Sequence, residues 1–162
     1  MPETKIHNIQ DVCDYIIVKL DEGGKHLSHL KLQKLLYYVQ AWWLALNDDK
    51  PFFNGKFQAW VHGPVSRSIY DRFKDVKSLY SSVTIHDVRE GFDIDVLDRE
   101  AKLHIDEVLD VYAPFSGSEL EDMTHQEEPW LQARKGYTSS QRCEVTLDEP
   151  SMGNYFRQRL DS

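Results

Sequence analysis

The stretch from Leu30 to Tyr70, LKLQKLLYYVQAWWLALNDDKPFFNGKFQAWVHGPVSRSIY, limits what this chain can fold into more than any other. Leu32, Leu35, Leu36, Val39, Trp43 and Leu46 recur at helical spacing and make a wide apolar stripe, which places this helix at the centre of a core. Tyr37 and Tyr38, and Trp42 and Trp43, are adjacent pairs on it. Neighbours on a helix point about 100° apart, so one ring of each pair is expected near the rim. The helix runs into an aromatic turn, Ala59-Trp60, followed by His62-Gly63-Pro64-Val65. Glycine reaches backbone angles closed to other residues and proline fixes φ, so Gly63-Pro64 is expected to open a new helix that buries Ile69, Tyr70 and Phe73.

The rest of the chain carries clear helix punctuation. Asn8 suits the N-cap of a first helix that has Asp11 in its first turn and buries Ile9, Val12, Ile16 and Leu20 before Gly23-Gly24. Ser28 caps the long helix, with Leu27 and Leu32 placed as a hydrophobic staple. Phe57 to Val61 reads as a short extended segment. Val83-Thr84-Ile85 and Phe92 to Ile94 have strand character and suggest a two-stranded ribbon at the domain edge. Ala101, Ile105, Val108, Leu109 and Tyr112 define another helix, ended by Pro114, with Asp106, Glu107 and Asp110 facing out. Ser116 and Glu119 form a capping box, Pro129 suits the first turn of a further helix, Tyr137 to Asp148 reads as a loop, and Pro150 opens a last helix through Met152, Phe156 and Leu160. The expectation is a mainly α, compact single-domain fold over residues 1–162, with about six to seven helices and a short β-ribbon at the edge.

Charge excludes several functions. Nineteen bases against 27 acids give a net charge of −8, and the imbalance is local: residues 1 to 60 hold seven of each, whereas Asp87 to Glu128 holds fourteen acids against Arg89, Arg99 and Lys102, a net of −11. Such a surface repels phosphate backbones, so direct nucleic-acid binding is not expected; the plain reading of the acidic stretch is a solvated helix face, and the sharper one is electrostatic steering of a basic partner. The longest uncharged apolar-rich run, Leu35 to Asn47, is shorter than the roughly 20 residues a membrane span needs, and no signal-peptide pattern is present, so no membrane and a cytoplasmic location are expected. Cys13 falls on the apolar side of the first helix, and neither it nor Cys143 sits in a metal-binding spacing, so a disulfide and a zinc site are both disfavoured. No catalytic signature for hydrolysis, phosphate binding or paired-acid chemistry occurs, and no cofactor is expected. His104 and Asp106, two apart, point in different directions on their helix, while His125 and Glu128, three apart, could share a face.

Taken together, LQKLLYY (Leu32 to Tyr38), Ala59-Trp60, Gly63-Pro64-Val65 and Tyr70, then Leu120, Thr124-His125, Glu128 and Pro129-Trp130, resemble the Panacea-domain or SocA-like antitoxin family, whose members include phage-associated proteins. The likeness runs from about Ile9 to Arg134. One departure is the lack of any basic helix-turn-helix candidate, although many relatives carry an added DNA-binding module. The resemblance implies an antitoxin that binds a cognate protein toxin encoded nearby and, in the SocA-like case, hands it to a cytoplasmic AAA+ protease. Trp60, His62, Tyr70, His125 and Trp130 would then contact or support the partner site, and pairing of the domain with itself is compatible with the pattern. For Trp60, His62 and Trp130 the first expectation is architectural, with buried rings whose N–H groups meet nearby carbonyls, and the lining of a partner groove is the alternative. The rival is a small metal-dependent or hydrolytic enzyme using His62, His125 and Glu128.

Overall fold

The structure is a computed structural model that describes residues 5–160. It is mainly helical. The elements run β1 (His7–Asn8), α1 (Ile9–Glu22), α2 (His29–Leu46), β2 (Phe53–Asn54), β3 (Phe57–Trp60), β4 (Gly63–Ser66), α3 (Arg67–Phe73), two single 3₁₀ turns (Ile85–Asp87 and Ile94–Val96), α4 (Arg99–Tyr112), α5 (Gly117–Thr124), α6 (Glu128–Ala133) and α7 (Glu149–Arg159).

Helix α2 is the axis of the fold. From His29 to Ala45 every residue but Trp42 is buried, because α1, α4, α5, α7 and the β3–β4 hairpin pack around it. That enclosure corrects one expectation: Tyr37 and Tyr38 are both fully buried, and only the tryptophan pair has a member, Trp42, near the rim. The caps are where the sequence put them. Asn8 Oδ1 accepts from the N–H of Gln10, Ser28 Oγ from that of Lys31, and Ser116 with Glu119 closes a reciprocal capping box.

The edge ribbon expected from Val83 to Ile85 and Phe92 to Ile94 does not form. Its residues go elsewhere: Val83 N–H donates to Leu27 O at 2.8 Å and His29 N–H to Ser81 O at 3.0 Å, while Ile85–Asp87 and Ile94–Val96 close into 3₁₀ turns. The antiparallel ribbon is instead β3–β4, pairing Phe57 with Ser66 and Trp60 with Gly63. Gly63-Pro64 therefore lies in a strand, and the next helix opens at Arg67, capped by Ser66. A second, very short sheet pairs β1 with β2 in parallel.

Buried charge ties the outer elements to the core. Asp14 on α1 is fully buried and receives Arg72 of α3 at 2.6 Å and Arg89 at 2.5 Å, so the α3 end and the loop after it are clamped to α1. Both cysteines are buried and free. Among the described residues no helix is long and apolar enough to cross a membrane.

Candidate functional site

The hairpin tip, with Val61 and His62 between the strands, is where the motif residues converge. Behind it, α2 supplies polar side chains from an otherwise apolar surface. Gln33 Oε1 accepts from the N–H of Ser66 at 2.8 Å, and its amide nitrogen donates to Ser66 O at 3.3 Å, so one side chain satisfies both backbone groups of a buried residue. One residue on, Lys34 Nζ donates to Pro64 O at 2.8 Å. Gln40 does the same for the segment before the hairpin, accepting from Phe52 N–H at 2.8 Å and donating to Phe53 O at 3.0 Å. Lys34 is fully buried, and loss of water pushes its pKa down to about 7.

The late motif grips the same hairpin from the other side through three carbonyls in a row. Arg134 Nη1 donates to Ala59 O at 2.8 Å, Trp130 Nε1 to Trp60 O at 2.8 Å, and His125 Nε2 to Val61 O at 2.8 Å. His125 stacks on Trp130 with ring centres 4.3 Å apart, and the Arg134 guanidinium lies 5.1 Å from the Trp130 ring centre. Each donor thus supports its neighbour as well as its carbonyl. Thr124, fully buried, closes the remaining side above Gly63.

The LQKLLYY tyrosines hold a carboxylate instead of contacting solvent. The Tyr38 hydroxyl donates to Glu127 Oε2 at 2.8 Å and the Tyr37 hydroxyl to Oε1 at 3.4 Å. Glu127 stands at the N-cap of α6 yet makes no cap hydrogen bond, because its side chain turns inward to the tyrosines. Burial pushes its carboxyl up to about 7, with the two tyrosine hydroxyls pulling the other way. The same burial raises the Tyr38 hydroxyl, whose ring stacks on Tyr112 at 3.9 Å.

Of the five residues expected at a partner site, the structure gathers all around this hairpin but divides them in two. Trp130 is buried and His125 is half-buried, both spent on carbonyls. Trp60, His62 and Tyr70 are half-exposed and line a cleft of about 400 Å³ with Arg67, Arg142 and Glu144. There Trp60 and Tyr70 meet edge to face at 4.8 Å, and the Arg67 guanidinium sits 5.9 Å from each ring centre. The Trp60 N–H is held by Gln58 Oε1 at 2.8 Å, which fixes the ring's angle. His62 Nδ1 lies 3.0 Å from Glu121 Oε1 and donates to it, since a carboxylate only accepts.

The trio of the enzyme reading is not assembled. Glu128 is exposed and lines a different cleft with Gln132, Tyr155 and Arg159, while His125 has one nitrogen committed to Val61 O. Among the described residues no three His, Cys, Asp or Glu side chains gather as a metal site.

Four residues that hold the site were not among its expected members: Gln33 and Lys34, which lie inside LQKLLYY, and Glu127 and Arg134. A signal existed for the first two: polar side chains at core positions of an apolar helix need buried backbone partners. Glu127 and Arg134 gave none, since a Glu and an Arg on a short charged segment normally face water. Replacing Trp130 by phenylalanine is expected to cost about 1–2 kcal/mol in urea unfolding, because the ring stays while Trp60 O loses its donor. A cost under about 0.3 kcal/mol would remove the carbonyl grip from the account of the tip's rigidity.

The antitoxin SocA of Caulobacter vibrioides (strain NA1000 / CB15N) is 33% identical over 104 residues, which are 61% of this chain and 55% of that protein, so the chain spans about half the length of its relative. No solved structure matches significantly. The pattern of the family described as Antitoxin SocA-like, Panacea domain, matches residues 32–131, from the first leucine of LQKLLYY to the residue after Trp130, and the chain belongs to that family.

Proposed function

We propose that this protein is an antitoxin that neutralises a cognate protein toxin by direct contact in the cytoplasm, using the hairpin tip. Trp60, His62 and Tyr70 present the contact surface, and His125 and Trp130 brace it from behind. The observation that carries this reading is the row of three donors on the carbonyls of Ala59, Trp60 and Val61, which stiffens the tip beneath half-exposed aromatic rings. Pre-ordered aromatic side chains lose little conformational entropy when a partner covers them, and tryptophan and tyrosine are the residues that most often dominate binding energy. Family membership and the likeness to a protein named antitoxin SocA support the same reading.

The test is co-expression with the product of the neighbouring gene. Growth arrested by that product should recover when this chain is present, and the two should copurify. Trp60→Ala/Tyr70→Ala should abolish both while leaving the thermal midpoint within a few degrees, since neither ring is fully buried. Failure of the unaltered chain to restore growth would overturn the antitoxin role. Following the toxin's half-life in cells with and without each AAA+ protease separates blocking from delivery: a toxin that turns over faster only when antitoxin and protease are both present is being delivered.

One observation favours an enzyme as second reading, the His62–Glu121 pair at 3.0 Å beside the cleft. Turnover of a small substrate by the purified protein checks it, with activity lost in His62→Ala as the supporting result.

A further inference from the structure

We propose that the groove between the C-terminal end of α2 and helix α4 is the docking site for a basic amphipathic helix of a partner protein. The groove has a volume of about 210 Å³ and an apolar floor made by Trp42, Val108 and Tyr112, with Leu46, Glu107 and Val111 at its rim. Its surroundings are unusual for a free surface. Leu46, Leu103 and Val111 are 54%, 56% and 59% exposed, three large aliphatic side chains standing in water on two adjacent helices. Scattered exposed leucines need no explanation, but Leu46 and Val111 line one groove and Leu103 extends the same exposed face of α4 beyond it, a grouping that marks an interaction surface.

The floor is rigid. Trp42 Nε1 donates to the Tyr112 hydroxyl at 2.8 Å, and Tyr112 stacks on Tyr38, so the two aromatic walls are locked to each other and to the core. Leu103, Glu107 and Val111 follow one another at four-residue spacing and lie along one exposed face of α4, spanning about 12 Å. That length matches the two to three turns over which an amphipathic helix sets its anchors into a groove.

Charge chooses the occupant. The exposed positions of α4 carry Glu100, Glu107 and Asp110 against Arg99, a net negative face, while Glu119 and Glu121 of α5 are spent on the Ser116 cap and on His62. An acidic or neutral helix laid here would meet uncompensated carboxylates, whereas lysine and arginine flanking the apolar anchors would meet complementary charge and be steered to the groove. The groove is separate from the hairpin tip: Lys34, which holds the tip, and Leu46, at the groove, are twelve residues or about 18 Å apart along α2. This site rests on the antitoxin reading only for the identity of the partner, a toxin.

The probe is a labelled 18-residue peptide of leucine and lysine in amphipathic helical order, with a scrambled peptide of the same composition and a leucine–glutamate peptide as comparisons, read by fluorescence anisotropy against the whole protein. The amphipathic basic peptide should bind saturably, one per chain, and the other two at least about tenfold more weakly. Leu46→Lys/Val111→Lys and Glu107→Lys/Asp110→Lys should each weaken binding at least about tenfold, the second also flattening its salt dependence. Asp75→Lys/Glu90→Lys, exposed positions away from the groove with the same change in net charge as the second, should leave binding within about twofold. All these positions are exposed, so thermal unfolding of each variant should match the parent. Equal binding of the scrambled peptide, an equal effect of the distant charge reversal, or self-association that Val111→Lys abolishes would each overturn the proposal. The two readings fail separately: peptide binding intact with growth not restored sinks the antitoxin role, and growth restored without groove-dependent peptide binding sinks the docking site.

Discussion

Gly63→Ala is expected to destabilise the fold by about 2–5 kcal/mol, read as a fall in the thermal midpoint of roughly 10 °C for a chain of this size. Two independent costs add. Gly63 has φ +95°, a conformation that L side chains rarely adopt, and holding alanine there costs about 1–2 kcal/mol. A methyl group at this position would also stand 2.6 Å from Thr124 Oγ1 and 2.7 Å from Lys34 Cε. Neither neighbour can retreat: both are fully buried, Lys34 is fastened to Pro64 O, and Thr124 Oγ1 donates to Glu121 O at 2.7 Å. Overpacking of this kind typically costs a further 1–3 kcal/mol. Adding Thr124→Ala to the variant should recover part of the loss, so the two substitutions should couple in a double-mutant cycle by more than about 0.5 kcal/mol. Additive effects would show that the contact with Thr124 is not what excludes a side chain.

The second large effect concerns pH. Glu127 has a folded pKa raised from 4.5 to about 7, first because burial disfavours its charge, against the pull of Tyr38 and Tyr37. A carboxyl of this kind binds more protons folded than unfolded between those values. Its contribution to stability is therefore fully present below about pH 4.5 and is lost as pH rises through about 7, by roughly 3 kcal/mol in total. Glutamine keeps an acceptor for Tyr38 and offers its amide to the longer Tyr37 contact without ever carrying charge. Glu127→Gln should match the parent near pH 4.5 and exceed it by roughly 3 kcal/mol at pH 8, in urea unfolding across that range.

The difference between the two proteins isolates this group. The parent curve alone does not, because His29, lowered to about 4 by burial, and Lys34, lowered to about 7, act in the opposite sense: each binds fewer protons folded than unfolded, so stability rises with pH from about 4 to 6.5 for His29 and from about 7 to 10.5 for Lys34. A Gln-minus-Glu difference that stays flat from pH 4.5 to 8 would mean that Glu127 titrates as in the unfolded chain.

The contrast between what was legible and what was not follows from interaction range. Asn8, Ser28 and the Ser116–Glu119 box could be read because a cap is a contact between residues two or three apart. The ribbon could not. Val83 to Ile85 has β-forming residues, but strand formation requires a partner, and the chain offered Leu27 O and a 3₁₀ turn in its place. Pro64 looked like a helix opener and became part of a strand because Lys34 and Gln33, about thirty residues earlier, hold the carbonyl of Pro64 and both backbone groups of Ser66. Tyr37 and Tyr38 were expected to divide between core and rim, and both are buried because α4, α7 and the hairpin enclose α2 on several sides.

The candidate site shows the same division. Trp60, His62, Tyr70, His125 and Trp130 stood out as parts of a joint pattern of motifs, whereas Glu127 and Arg134 did not, and the sequence does not say which of the five faces solvent. Only the fold sets His125, Trp130 and Arg134 on three successive carbonyls and leaves Trp60 and Tyr70 half-exposed.

By itself, then, the order of residues determined that this chain is mainly helical, where most helices begin, that the long helix is the core, and to which family it belongs. Those properties depend on periodicity, capping and short motifs, all of them local along the backbone. The tertiary structure alone decided that Gly63 must be glycine, that Glu127 lies against two tyrosines, and that an apolar groove with Glu107 at its rim opens beside α4. Each of these depends on which distant segments meet, and burial then sets the energy of whatever polar group is caught between them.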